Sequence, residues 1–285
     1  MVKFWKITPG GNPTVLLQAD AVASALRARA AAEIMDSGHL GADQVGFFAR
    51  SGCLTPRLDM MGGEFCLNAT RAFAALLARQ GDLPSLGPDL WSGQVEVSGA
   101  EGPVDVRVRR IPTESGQADW TAAAGVELNA LPQPSPMQDG ACLIRVPGIT
   151  HILLENVPPP AADALPAACA ELRTRFNLED EAAVGCLWLN TVADPPVLCP
   201  VVWVRATKTL CAESACGSGT LACALAIRAR SGGNSLAIRQ PSGDILTVCF
   251  EADSAQPPYG SPIQRIWVDG PVRFVAEGTL FLSSL

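Results

Sequence analysis

Two stretches of this chain are versions of one another, and that repeat limits the fold more than any other feature. EFCLNATRAFAALLARQG begins at Glu64, and ESACGSGTLACALAIRARSGG begins at Glu213. Placing Cys66 on Cys216 (216 − 66 = 150 residues) also pairs Thr70 with Thr220, Ala72 with Ala222 and Ala74 with Ala224. Each copy reads as a polar or glycine turn, a helix of Ala and Leu, and a glycine stop. The surroundings repeat too. QVEVSGAEGPVDVRVRR follows the first helix and SLAIRQPSGDILTVCF the second, both patterned as hairpins around a glycine-containing turn. VGFFA (45–49) precedes the first motif and PVVWVRA (200–206) the second, while GGNPTVLL (10–17) resembles GITHILLE (148–155). Ala-on-Ala matches are cheap, but chance does not also align a cysteine, a turn and the flanking strands.

The repeat predicts two similar α/β halves of ordinary domain size. The Pro-rich stretch LPQPSPMQDG (131–140) is the candidate linker, and domain boundaries are expected at 1–135, 136–269 and 270–285. The last segment, GPVRFVAEGTLFL, reads as two closing strands.

With 48% hydrophobic and 17% charged residues, a chain of 285 residues can bury a substantial core. A net charge of −7 disfavours nucleic acid and anionic membrane as partners. The N-terminus lacks the pattern of a secretory leader, and no apolar run reaches membrane-spanning length, so a cytoplasmic location is expected. Ten cysteines without an export signal argue against a disulfide framework. No CxxC pair occurs and there are only two histidines, so no metal site is expected. Most of the cysteines should be buried apolar side chains, Cys223 among them.

Cys66 and Cys216 differ because each stands at a helix start. Unsatisfied N–H groups and the positive end of the dipole favour a thiolate there, and converging amides offer a socket for a carboxylate. Two such thiols on either side of one ligand could remove a Cα proton from one face and return one to the other. The amides would stabilise the negative charge that develops on the substrate carboxylate.

At these residues the chain resembles the diaminopimelate epimerases. MGGEFCLNATRAF (61–73) and ESACGSGTLACA (213–224) are similar to that family's two cysteine motifs. GGNPT (10–14), GADQVGF (41–47), VPGITHILLE (146–155), RQPSGDIL (239–246) and GPVRFVAEGTL (270–280) match further landmarks in order. The resemblance implies an α/β (α+β) fold of two pseudo-symmetric domains. Each would be a curved, mostly antiparallel sheet around a central helix, with residues 270–285 returning to the first domain. It further implies catalysis by Cys66 and Cys216 without pyridoxal phosphate or metal, and a homodimer. The α-carboxylate would be held by the amides of Leu67, Asn68, Gly217 and Ser218, with Asn12 and Gln44 in the pocket and Glu213 facing the α-amino group.

Several donors that diaminopimelate epimerases use for a distal carboxylate are missing. Ile149 and Gly185 stand where that family has asparagines, and another falls near Met60 or Met61. The expected arginine is Lys208 at best. A pocket stripped of those donors should not bury a second charged head group. The shared GGEFC-x-NAT, QVGF, AVG, ESACGSG and QPSG patterns resemble instead the histidine racemases of staphylopine-type opine-metallophore pathways. The expectation is therefore conversion of L-histidine to D-histidine, an amino acid being the small-molecule partner. The alternatives are a diaminopimelate epimerase, a racemase of another amino acid, a non-catalytic metabolite-binding relative and a paired-thiol redox sensor.

Overall fold

The computed structural model describes residues 1–50, 55–113, 118–127, 132–137, 140–205, 208–252 and 263–283. Cys53 and parts of the expected linker lie outside them. The chain forms two compact units, 1–126 with 269–285, and 127–268.

In unit 1, β1 (Val2–Pro9) and β2 (Thr14–Gln18) form an antiparallel hairpin. Its turn uses Gly10 and Gly11 at φ 68° and 101°, a region that favours glycine. Helix α1 (Arg27–Met35) then carries the chain over, so that β3 (Gln44–Ala49) runs parallel to β2. β4 (Arg57–Met60) turns back antiparallel to β3 and leads into α2 (Leu67–Gln80). The short β5 (Ser85–Gly87) precedes β6 (Leu90–Val97), β7 (Val104–Pro112) and β8 (Ala118–Val126).

Unit 2 follows the same scheme. After β9 (Ser135–Pro136), β10 (Ala141–Val146) and β11 (Ile149–Glu155) form a hairpin. Helix α3 (Leu165–Arg175) crosses over to β12 (Ala183–Asn190), parallel to β11, and β13 (Val197–Val204) returns antiparallel. β14 (Thr209–Ala212) leads into α4 (Gly217–Ser231), followed by the hairpin β15 (Ser235–Arg239) and β16 (Ile245–Ala252). The chain ends with β17 (Ile263–Leu280). In both units the strand that returns antiparallel after the crossover pairs parallel with a strand of the hairpin after the buried helix, β4 with β6 and β13 with β15. The hairpins and the β1–β17, β3–β4, β7–β8 and β12–β13 pairings are antiparallel, so the fold is mixed α+β.

Unit 1 closes into a barrel. Following the pairings from β1 through β2, β3, β4, β6, β7, β8 and β17 leads back to β1. Helix α2 packs against β1, β2, β6, β7 and β8 inside this ring and is buried continuously from Leu67 to Ala78. Its alanines explain the sequence pattern: a helix enclosed on every side has no solvent-facing side and little room. α4 packs in the same way against β10, β11, β12, β15 and β16 of unit 2. The opposite sheet faces carry their own cores. Ala30, Ala31 and Ile34 of α1 pack with Val15, Leu17, Val45 and Phe47. Cys169 of α3 packs with Ile152, Cys186 and Trp188.

Two expectations are corrected. The last segment is not two strands but the single β17, whose pairing with β1 slips opposite Lys6 and Ile7. The Pro-rich stretch is not merely a linker. Ser135 and Pro136 pair with β10, and both belong to the compact unit 127–268. Proline is tolerated there because β9 makes only a short pairing at its end of the sheet.

Candidate active site

Cys66 and Cys216 are each the residue immediately before a buried helix, and their geometries nearly coincide. Cys66 has φ −126° and ψ 111°, Cys216 φ −127° and ψ 107°, both extended as a helix N-cap requires. Each sulfur accepts the N–H three residues on, from Ala69 at 3.4 Å and from Gly219 at 3.3 Å. Each cysteine carbonyl accepts a threonine hydroxyl, from Thr70 at 2.7 Å and Thr220 at 2.6 Å. The sulfurs thus take the place that a Ser or Asp oxygen usually fills at a helix start. The amides of Leu67, Asn68, Gly217 and Ser218 lie in the first turns of the helices, where helix geometry supplies no internal acceptor.

The surroundings of the two sulfurs differ. The Cys66 thiol donates to Gln44 Oε1 at 2.9 Å, and Gln44 Nε2 donates to Asn12 Oδ1 at 2.7 Å and Thr14 Oγ1 at 2.9 Å. Asn12 and Gln44, expected in the substrate pocket, therefore form with Thr14 a buried polar chain that ends on the sulfur. Cys216 is buried, and burial together with the neighbouring Glu213 carboxylate pushes its thiol well above the ordinary value. Hydrogen bonds from Ser218 and from the Gly219 amide act in the opposite direction. Ser218 Oγ lies 3.5 Å from the sulfur. Glu213, expected to face the substrate α-amino group, stands beside the Cys216 thiol.

Other chemistry-bearing residues have surroundings of their own. Cys223 is fully buried in α4 and Cys211 is exposed on β14. Lys208 sits exposed at the turn into β14 at φ 53°. His151 is fully buried and lies over Gly185, where a Cβ would collide with its ring. Among the described residues neither of its ring nitrogens has a hydrogen-bond partner, and burial lowers its pKa to about 3, so the ring is neutral. Among the described residues no group of three or more His, Cys, Asp or Glu side chains could hold a metal ion, and no helix is long and apolar enough to cross a membrane. Sequence patterns did not single out Thr14, Thr70, Thr220 or Gln240 as site residues. The repeat did contain the signal for Thr70 and Thr220, which occupy matched positions in the two copies.

Residues 1–281 match the protein family described as the histidine racemase CntK N-terminal domain. The chain belongs to that family. It is an amino-acid racemase, an isomerase. Histidine racemases from two strains of Fusobacterium nucleatum subsp. nucleatum are each 28% identical to it over 284 residues, covering 99% of this chain and 98% or 97% of theirs. Among solved structures, a probable proline racemase from Agrobacterium radiobacter with bound carbonate is similar at TM-score 0.63 and 13% identity, covering 99% of this chain and 94% of that one. A hydroxyproline epimerase from Agrobacterium vitis with bound trans-4-hydroxy-L-proline gives 0.62 and 13%, with 97% and 91% covered. A putative phenazine biosynthesis PhzC/PhzF protein from Clostridium difficile gives 0.59 and 11%, with 99% and 100% covered. At those identities the structural likeness is one of fold.

Proposed function

We propose that this racemase interconverts L- and D-histidine by proton exchange between Cα and two thiols, Cys66 and Cys216, without pyridoxal phosphate or metal. The observation that supports this most strongly is the matched pair of N-cap cysteines, alike within a few degrees of backbone angle and in the amide each sulfur accepts and the threonine hydroxyl each carbonyl accepts. A structural thiol has no need of that correspondence across 150 residues of chain.

In this reading one sulfur, as thiolate, takes the Cα proton, and the other, as thiol, delivers its own proton to the opposite face. The pair holds one proton between them, so its titration belongs to both. The electrons left at Cα spread onto the carboxylate, which the amides of Leu67, Asn68, Gly217 and Ser218 stabilise. Burial and Glu213 make the Cys216 thiolate a stronger base once formed. Gln44 and Asn12 orient Cys66. Histidine is the substrate named for the sequence relatives. Supply of D-histidine to an opine-type metal chelator and assembly as a homodimer in the cytoplasm complete the proposal.

Reduced protein is incubated in deuterated water with a panel of single L-amino acids and diaminopimelate, followed by chiral chromatography and mass spectrometry. L-Histidine should yield D-histidine carrying deuterium at Cα, and Cys66→Ser or Cys216→Ser should each abolish this. Turnover of diaminopimelate with none of histidine would overturn the substrate. Full activity in either serine variant would overturn the thiol pair.

A further inference from the structure

The start of α4 lacks a partner that helix starts commonly provide for themselves. The N–H of an N-cap residue is often accepted by the side chain at the third helical position. In α4 that position is Gly219, where a Cβ would stand 2.9 Å from Leu187 Cδ2 and 3.2 Å from Cys216 Sγ. The close approach of helix, sheet and sulfur leaves no room for a capping side chain, so the acceptor must come from elsewhere.

It comes from Gln240, at the end of β15 and only 2% exposed. Gln240 Oε1 accepts the Cys216 N–H at 3.0 Å. Gln240 Nε2 donates to Thr220 Oγ1 at 3.0 Å and to the Ile238 carbonyl at 3.2 Å, and the Thr220 hydroxyl donates on to the Cys216 carbonyl. The amide cannot be turned round, because a backbone N–H only donates and a backbone carbonyl only accepts. The turn that bears it is itself fixed: Gln240 N–H to the Asp244 carbonyl at 2.8 Å, Gly243 N–H to the Gln240 carbonyl at 2.9 Å, and Ser242 N–H to the Ser214 carbonyl at 3.0 Å.

We propose that Gln240 is the positioning residue of Cys216, holding the cysteine's N–H directly and its carbonyl through Thr220, so that the thiol is presented at a fixed angle. This rests on Cys216 acting as one of the two proton carriers. Gln240 acts through the cysteine and does not touch the reacting atoms.

The test compares Gln240→Leu and Gln240→Glu with the wild type by two readouts. One needs no substrate: the pH dependence of iodoacetamide alkylation at Cys216 and at Cys66, followed by peptide mass spectrometry. Gln240→Leu should change the Cys216 profile and leave that of Cys66 alone. Gln240→Glu keeps an acceptor for the Cys216 N–H but loses the donor to Thr220 and Ile238, so it too should change the Cys216 profile and leave that of Cys66 alone. The other readout is kinetic. In Gln240→Leu, kcat/KM should fall about tenfold, as for an orphaned buried donor. The fall must be equal in both directions because the enantiomers have equal free energy. The Cα-deuterium isotope effect should nevertheless rise only for the enantiomer that Cys216 deprotonates. Unchanged alkylation profiles in soluble variants, or profiles that shift together at both cysteines, would overturn the proposal. Should Gln240→Leu fail to fold, Gln240→Glu carries the same comparison. If the wild type racemises nothing while Gln240 variants still alter Cys216 alone, the function fails and the positioning role stands.

Discussion

At the scale of single residues, what distinguishes the site is which charges its side chains can carry. Burial first, and then the Glu213 carboxylate, hold the Cys216 thiol protonated through neutral pH. A rate that depends on its thiolate must therefore climb with pH into the alkaline range. Replacing Glu213 with Gln removes the like charge, lowers the thiol's pKa and should move that rising limb of kcat/KM towards neutrality. A limb that stays in place would show that Cys216 does not control it. His151 gives the complementary case. Its folded pKa of about 3 lies below the ordinary value of 6.5, so between these limits the unfolded chain binds a proton that the folded chain refuses. Stability from this group is complete above pH 6.5 and is lost as pH falls towards 3, by roughly 1.4 kcal/mol per unit. In unit 1 the position over Gly46 is held by Leu16, as His151 lies over Gly185. His151→Leu should accordingly lose less melting temperature between pH 7 and pH 5 than the wild type does.

At the scale of elements, the two helix starts share their backbone geometry but differ at their third positions. Ala69 carries a Cβ in α2, whereas Gly219 has none in α4 because Leu187 and the Cys216 sulfur occupy the space. Gly219→Ala should push that sulfur aside. About a hundredfold loss in kcat/KM is expected from a displacement of ~1 Å, with a smaller relative change in thermal stability, since the Leu187 side chain can yield. Wild-type turnover in a folded Gly219→Ala protein would contradict the close packing. The helices, their caps and the hairpins behind them were legible in the sequence because each is written locally, as turn, periodicity and glycine stop. Helices α1 and α3 were not picked out, since only one side of each is apolar and their sequences carry charges throughout. Gln240 was visible only as part of a turn. Its role depends on a contact 24 residues back along the chain, which no local pattern encodes.

At the scale of the whole chain, the repeat disclosed two similar units, but it could not disclose how the first one closes. That depends on β17, which reaches unit 1 only after the whole of unit 2 has intervened. The pattern GPVRFVAEGTLFL looked like two strands because its glycine suggests a turn. In the structure Gly278 lies within β17 opposite Phe4, where the aromatic ring fills the space beside it. β17 pairs with β1 over Val2–Pro9 and also with β8, so it is the stave that completes the ring around α2. Removing residues 269–285 would leave β1 and β8 with unpaired edges and open the enclosure of a helix buried continuously from Leu67 to Ala78. The deletion should therefore yield insoluble protein. In any soluble fraction, hydrogen exchange should show lost amide protection in β1, β8 and α2, while β10 to β13 keep theirs. Undiminished protection of α2 in the truncated chain would mean that the barrel holds without its last strand.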